Sequence, residues 1–192
     1  MGRSQAEKAA SRERILKRAA EQIRADGFDA VSVAKLMRSV NLTHGGFYGH
    51  FASRSDLLVQ ALERALEDGF ASARLTTAWA EPLEFATIVR TYVSGAHRDA
   101  RTTGCAIAAL AADVVHADDR SREVMSEYIE RFIANIERTT GAGDEAGAMF
   151  AASAMIGGLL LSRVIVDKGR SNALLKTVRE HLIGTADPTM AD

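Results

Sequence analysis

Apolar side chains along this chain recur every three or four positions, the period of an α-helix with one buried face. Ile15, Leu16, Ala19, Ala20 and Ile23 mark a first helix over 6–26. Gly27 follows as a left-handed cap, with Phe28 placed to fold back on the last turn. Two short helical patterns, 33–40 and 44–50, flank a three-residue break at Asn41-Leu42-Thr43. Ser53-Arg54-Ser55-Asp56 has the spacing of a helix-opening capping box. Leu57, Leu58, Ala61, Leu62, Ala65 and Leu66 then continue one apolar stripe along a helix over 54–72.

Glu81-Pro82 marks a boundary, since proline suits a first helical position. Beyond it, Leu83, Ile88, Val89, Tyr92 and Val93 predict a helix to His97, and 98–103 reads as a polar loop. Gly104-Cys105 opens an alanine-rich helix. Met125, Tyr128, Ile129, Phe132, Ile133 and Ile136 set the phase of a long one over 118–140. After Gly141-Ala142-Gly143 come helices over 144–168 and 171–183. No strand period interrupts this series. The pattern predicts an all-α protein of about nine helices.

So short a break as 41–43 turns its second helix sharply across its first, as in a helix-turn-helix. Ser32 and Thr43 stand where side-chain oxygens can cap the two helix starts. Leu36, Val40, Leu42 and Phe47 supply the apolar contacts between them, and Thr43, His44, Gly45, Gly46 and Tyr48 are left for the outside. Two adjacent glycines cost a helix about 1 kcal/mol each relative to alanine. Close approach of the backbone to a phosphate or base edge would account for them.

The run Leu42-Thr43-His44-Gly45-Gly46-Phe47-Tyr48, with His50-Phe51 and Ser53-Arg54 behind it and Ala25-Asp26-Gly27-Phe28 ahead, resembles the DNA-binding domain of the tetracycline-repressor (TetR) family of bacterial transcription regulators. The resemblance covers the first third of the chain. His44 stands where the family often has Lys, and Gly46 where it often has Thr or Ser, so base reading shifts toward Thr43, His44 and Tyr48.

The resemblance implies a three-helix DNA-binding domain over 1–56, linked by the helix 54–72 to an effector-binding and dimerisation domain over 75–192. It implies DNA contacts from Ser32, Thr43, His44, Gly45, Gly46, Phe47, Tyr48, His50 and Arg54, the last beside a phosphate at a helix start. It further implies a homodimer through the last two helices. Leu159, Leu160, Val164, Leu174, Leu175, Val178 and Leu182 would form that surface, with Gly157-Gly158 permitting close approach. Two half-sites one turn of duplex apart (~34 Å) give an independent reason for two copies.

Charge sharpens this division. The net charge of −1 hides a basic N-terminal third: residues 1–55 carry 10 Lys+Arg against 5 Asp+Glu, and the rest carries 14 against 20. A basic module on an acidic body is the footprint of nucleic-acid binding. One cysteine excludes an internal disulfide and fits a reducing cytoplasm. The longest uncharged run, 146–162, is 17 residues with three Gly and two Ser, below the ~20 apolar residues of a membrane span. It reads as a buried helix, with no membrane partner.

The five His residues and Cys105 show no metal-ligand spacing, and no phosphate-binding glycine loop is present. His97-Arg98-Asp99 imitates a kinase tripeptide, but Gly104 stands where the accompanying Asn belongs. Neither an enzyme, a metal nor a cofactor is expected. The family resemblance implies a small-molecule effector in the body, and Tyr92, Cys105, Met125, Tyr128 and Met149 are candidate lining residues because aromatic and Met side chains suit an apolar ligand. The resulting expectation is a repressor that leaves a palindromic operator on double-stranded DNA when the effector binds. The alternative is a thiol switch: Cys105 opens a helix, where the reactive form of a thiol is favoured.

Overall fold

The computed structural model describes residues 5–76, 84–140 and 144–185. Those residues are helical with no strand. In order they form α1 (Gln5–Asp26), α2 (Val33–Ser39), a 3-10 helix (His44–Gly49), α3 (Arg54–Thr76), α4 (Phe85–Tyr92), α5 (Gly95–Asp99), α6 (Ala106–Val115), α7 (Asp119–Thr140), α8 (Glu145–Val164) and α9 (Lys168–Thr185). The all-α expectation holds. The boundary at Glu81-Pro82, Leu83 and the break at Gly141-Ala142-Gly143 lie outside the described residues.

α1 ends as its sequence predicts. Gly27 has φ +82, and its N–H donates to Ile23 O at 2.9 Å. α2 ends on Asn41, the one non-glycine with positive φ (59) among the described residues. Leu42 N donates back to Met37 O at 2.9 Å, the six-residue closure of a Schellman cap. α3 opens with the predicted box: Ser53 Oγ accepts from Asp56 N and Asp56 Oδ2 from Ala52 N, both at 3.0 Å. The Ala52 N–H, and after it the Gln60 amide, hold the Asp56 carboxyl below its ordinary range.

One apolar core binds α1, α2, the 3-10 helix and α3 into a unit through Ile15, Ile23, Leu36, Phe47 and Leu57. The same core continues into α6 and α7 through Ile107, Leu110 and Met125, so the N-terminal unit is not a bead on a string. A second core joins α4, α7, α8 and α9 around Val89, Ile136, Met155 and Leu175. α8 meets the length and apolarity of a membrane span. In the fold Ala148, Ala152, Met155 and Leu159 are buried against the other body helices.

Three sequence expectations are corrected. The helix expected to run to His97 breaks at Val93-Ser94, because Ser94 Oγ accepts from His97 N at 3.1 Å and restarts the chain as α5. The second helix of the helix-turn-helix is 3-10 rather than α, as suits a short segment whose six residues include three glycines. Ser32 and Thr43 occupy the N-cap positions with extended backbone, but neither side chain makes a capping hydrogen bond.

Candidate nucleic-acid interface and effector site

In a 3-10 helix residues three apart eclipse, so Gly45 and Tyr48 share one side while Phe47 and His50 share another. Phe47 is only 1% exposed and stacks on Phe51 with ring centroids 5.6 Å apart. It is a core anchor, and its expected contact with DNA is corrected on that ground. Tyr48 is 70% exposed, touching its own protein edge-on at Phe47. Thr43, His44 and Gly45 are exposed beside it, with Gly46, His50 and Ser32 half-buried. A Cβ at Gly45 or Gly49 would meet nothing within 4 Å, and one at Gly46 would make only ordinary contacts. Packing within the protein therefore gives no reason for these glycines.

Arg54 is placed differently from expectation. Its Nη2 donates to Phe28 O at 2.7 Å and its Nε to Val31 O at 3.2 Å. The guanidinium thus clamps the α1–α2 loop to the start of α3. Arg12, from α1, lies over the Phe51 ring at 5.2 Å.

In the body, Tyr92, Cys105 and Tyr128 come together, with Met125 buried in the adjoining core. Met149 does not join them. It is 43% exposed on the outward face of α8, because α8 turns Ala148, Ala151 and Ala152 inward and leaves positions 149 and 150 outside. The Tyr92 hydroxyl donates to Cys105 Sγ at 2.9 Å. Burial, then the neighbouring Cys105, push the Tyr92 hydroxyl pKa well above its ordinary value, and the same two causes raise that of Tyr128.

His97 completes the cluster. Its Nδ1 lies 2.8 Å from Tyr92 O, and Cys105 N donates to its Nε2 at 2.9 Å. Since Nε2 accepts, the proton sits on Nδ1 and the ring is neutral. Burial, followed by the Arg163 charge, lowers the His97 pKa. Arg163 donates Nε to Arg98 O at 3.2 Å and Nη2 to His97 O at 3.3 Å. Gly104 is required here: a Cβ would lie 2.5 Å from Ala100 O and 3.0 Å from Arg163 Nη2. Residue type alone flagged Tyr92 and Cys105. The His97 and Arg163 partnerships depend on α5 and α8, 8 and 58 positions from Cys105, and no local spacing signals them.

α6 runs from this cluster to the N-terminal unit. Asp113, near its far end, accepts Phe28 N at 2.8 Å, and Arg101, ahead of α6, donates to Ala25 O at 3.0 Å. Both contacts meet the C-terminal end of α1. Among the described residues no group of three or more His, Cys, Asp or Glu could hold a metal.

The outward face of α8 is apolar: Phe150, Leu160, Leu161 and Val164 are exposed with Met149, and Gly157 faces open space. The stripe expected from the sequence divides here. Leu160 and Val164 lie on this face, but Leu159, Leu175 and Leu182 are buried within the protomer, and Gly158 sits where a Cβ would be 3.2 Å from Val178.

Residues 15–61 match the family described as bacterial regulatory proteins, tetR family. No curated protein matches the chain by sequence. Among solved structures, a TetR-family transcriptional regulator from Cytophaga hutchinsonii is similar with TM-score 0.75 at 16% identity, covering 95% of this chain and 98% of that one. A TetR regulator from Legionella pneumophila gives 0.73 at 21% identity, covering 96% and 99%. The reduced form of E. coli NemR gives 0.73 at 18% identity, covering 90% and 95%.

Proposed function

We propose that the chain, whose residues 15–61 match the tetR family of bacterial regulatory proteins, is a homodimeric repressor that releases a palindromic operator when a small molecule occupies the body. The carrying observation is Tyr48, a large aromatic side chain 70% exposed beside bare glycine backbone that the protein's own packing does not need. A base or sugar–phosphate edge supplies the missing contact, with Thr43 and His44 alongside. Tyr48→Ala should abolish binding to an operator selected from a random duplex pool, while the dimer sediments unchanged. Unchanged operator affinity in the variant would sink this docking. The exposed face of α8 is the dimer contact in this reading, with Gly157 rather than Gly158 allowing the close approach.

The effector site is the cluster of Tyr92, Cys105 and Tyr128, and α6 is the connection outward: displacing its Cys105 end moves Asp113, which holds the end of α1.

A second reading is favoured by the thiol's surroundings. Cys105 Sγ is met by the Tyr92 hydroxyl, and the Arg163 guanidinium lies close enough for their charges to interact. Similarity in fold to NemR, solved in a reduced form, supports it. Addition of the Cys105 sulfur to a quinone would form a C–S bond and pass the thiol proton to the quinone, giving a substituted hydroquinone. Operator release by benzoquinone in the wild type but not in Cys105→Ser is expected on this reading. Equal release in both proteins leaves the reversible ligand as the account.

A further inference from the structure

The C-terminal end of α1, the turn between α5 and α6, and the junction of α8 with α9 enclose an open cleft of about 730 Å³. Five cationic side chains line it, Arg24, Arg98, Arg101, Arg163 and Lys168, against the carboxylates Asp26, Asp99 and Asp113. Several of these are already engaged. Arg24 donates to Ala65 O and faces Asp68 at 3.7 Å. Arg98 is paired with Asp99 and bonded to Ser171 and Asn172. Asp113 accepts the Phe28 N–H.

Arg101, Arg163 and Lys168 remain, and among the described residues none of them forms an ion pair. Asp26, exposed at the rim, is the carboxylate left over. Arg163 is half-buried with only main-chain carbonyls as partners, and Arg101 is near enough to act on it as a like charge. Two neighbouring guanidinium groups, one half-buried and one exposed, with no carboxylate in ion-pair reach are costly. The arrangement becomes favourable when an anion stands between them, because guanidinium forks bind carboxylate and phosphate with charge-assisted bonds.

We propose that this cleft binds an organic anion, a phosphate or carboxylate held by Arg101, Arg163 and Lys168, with its carbon skeleton on Ala109 and Ile165. The site is separate from the Tyr92–Cys105 cluster and shares Arg163 with it. It stands whether or not the operator reading does. Arg101 also holds Ala25 O, so an anion drawing on that guanidinium competes with the tether between the body and α1.

Isothermal titration of the full chain with pyrophosphate and with citrate tests the site. Saturable binding of either probe is expected, and the tighter one identifies the head-group chemistry. Arg163→Gln should weaken it by roughly tenfold or more, the scale of one charged hydrogen bond. Arg101→Ala with Lys168→Ala changes two exposed side chains, leaves the core untouched, and should weaken binding further. The proposal is overturned if neither probe binds up to millimolar concentration, or if the Arg101/Lys168 double variant binds as the wild type does. Loss of protection at the Ala25–Phe28 backbone amides on saturation, read by hydrogen exchange, is the expected sign of competition for Arg101. Unchanged exchange there would remove the link to α1.

Discussion

Removing the Asp113 carboxylate tests how the body holds the N-terminal unit. Asp113 Oδ2 accepts Phe28 N at 2.8 Å across 85 residues of sequence, and a Cβ on Gly27 would lie 2.8 Å from the same oxygen. A hydrogen bond to a charged group contributes about 1.5–3 kcal/mol, and deleting the acceptor leaves a half-buried N–H unpaired. Asp113→Ala should therefore cost about that amount. For a chain of this size that lowers the thermal midpoint by roughly 3–12 °C. Asp113→Asn keeps an acceptor and should cost less. Hydrogen exchange localises the effect: Phe28 should lose protection while Ile15–Ile23 in the core of α1 keep theirs. Gly27→Ala adds a second measurement, since left-handed backbone costs a residue with a Cβ about 1–2 kcal/mol and the carboxylate adds a steric penalty. In an Asp113→Ala background the steric part should vanish, making the pair non-additive. An unchanged midpoint with unchanged Phe28 exchange would refute this view of the latch.

Gly104→Ala should destabilise by about 1–3 kcal/mol, since its Cβ meets a carbonyl oxygen at 2.5 Å, and a neutral denaturation midpoint would mean the turn relaxes around it. His97 is neutral and its pKa is depressed chiefly by burial, so the unfolded chain binds the proton first; stability is full above about pH 6.5 and falls as pH drops below it. Denaturation at about pH 8 and about pH 5 should show wild type losing more stability than His97→Gln, and equal losses would contradict the assignment. Leu161→Glu, placing a charge on the open apolar face of α8, should give a folded monomer in sedimentation; a persisting dimer would put the interface elsewhere.

Periodicity alone exposed α1, α3 and α7, because each keeps one apolar face over about three turns. The caps at Gly27 and at Ser53 were equally legible, since each is set by residues within one turn. The 3-10 character of 44–49 was not. Glycine lowers helix propensity without saying which alternative the backbone takes, and here packing of Phe47 on Phe51 fixes the segment. Phe47 itself was read both as an apolar anchor and as a DNA contact, and its 1% exposure leaves only the first role. Met149 was chosen by residue type, whereas the phase of α8 decides its direction. Gly157 and Gly158 are adjacent and identical in sequence, yet one faces open space and the other packs near Val178. Only the position of α9 distinguishes them.

α6 is where the Tyr92–Cys105 cluster and the N-terminal unit become one mechanical problem. Cys105 and Asp113 stand eight residues apart, about 12 Å along a helix axis. The ten residues of α6 include five alanines, the strongest helix former, so the element resists local unwinding and carries a displacement as a rigid body. Its buried Ile107, Leu110 and Val114 share the core of α1 and α3, so tilting α6 must repack that core. The ion pairs of Arg120 with Asp56 and Glu63, at 3.6 and 3.9 Å, offer little opposition, being long and solvent-exposed on the arginine side. The bond from Phe28 N to Asp113 and the Arg54 clamp on Phe28 O lie on the two polar groups of one residue. A shift of α6 at Phe28 N is thereby passed through Phe28 O to the start of α3, three residues beyond Phe51, the ring on which Phe47 of the 3-10 helix carrying Tyr48 is stacked.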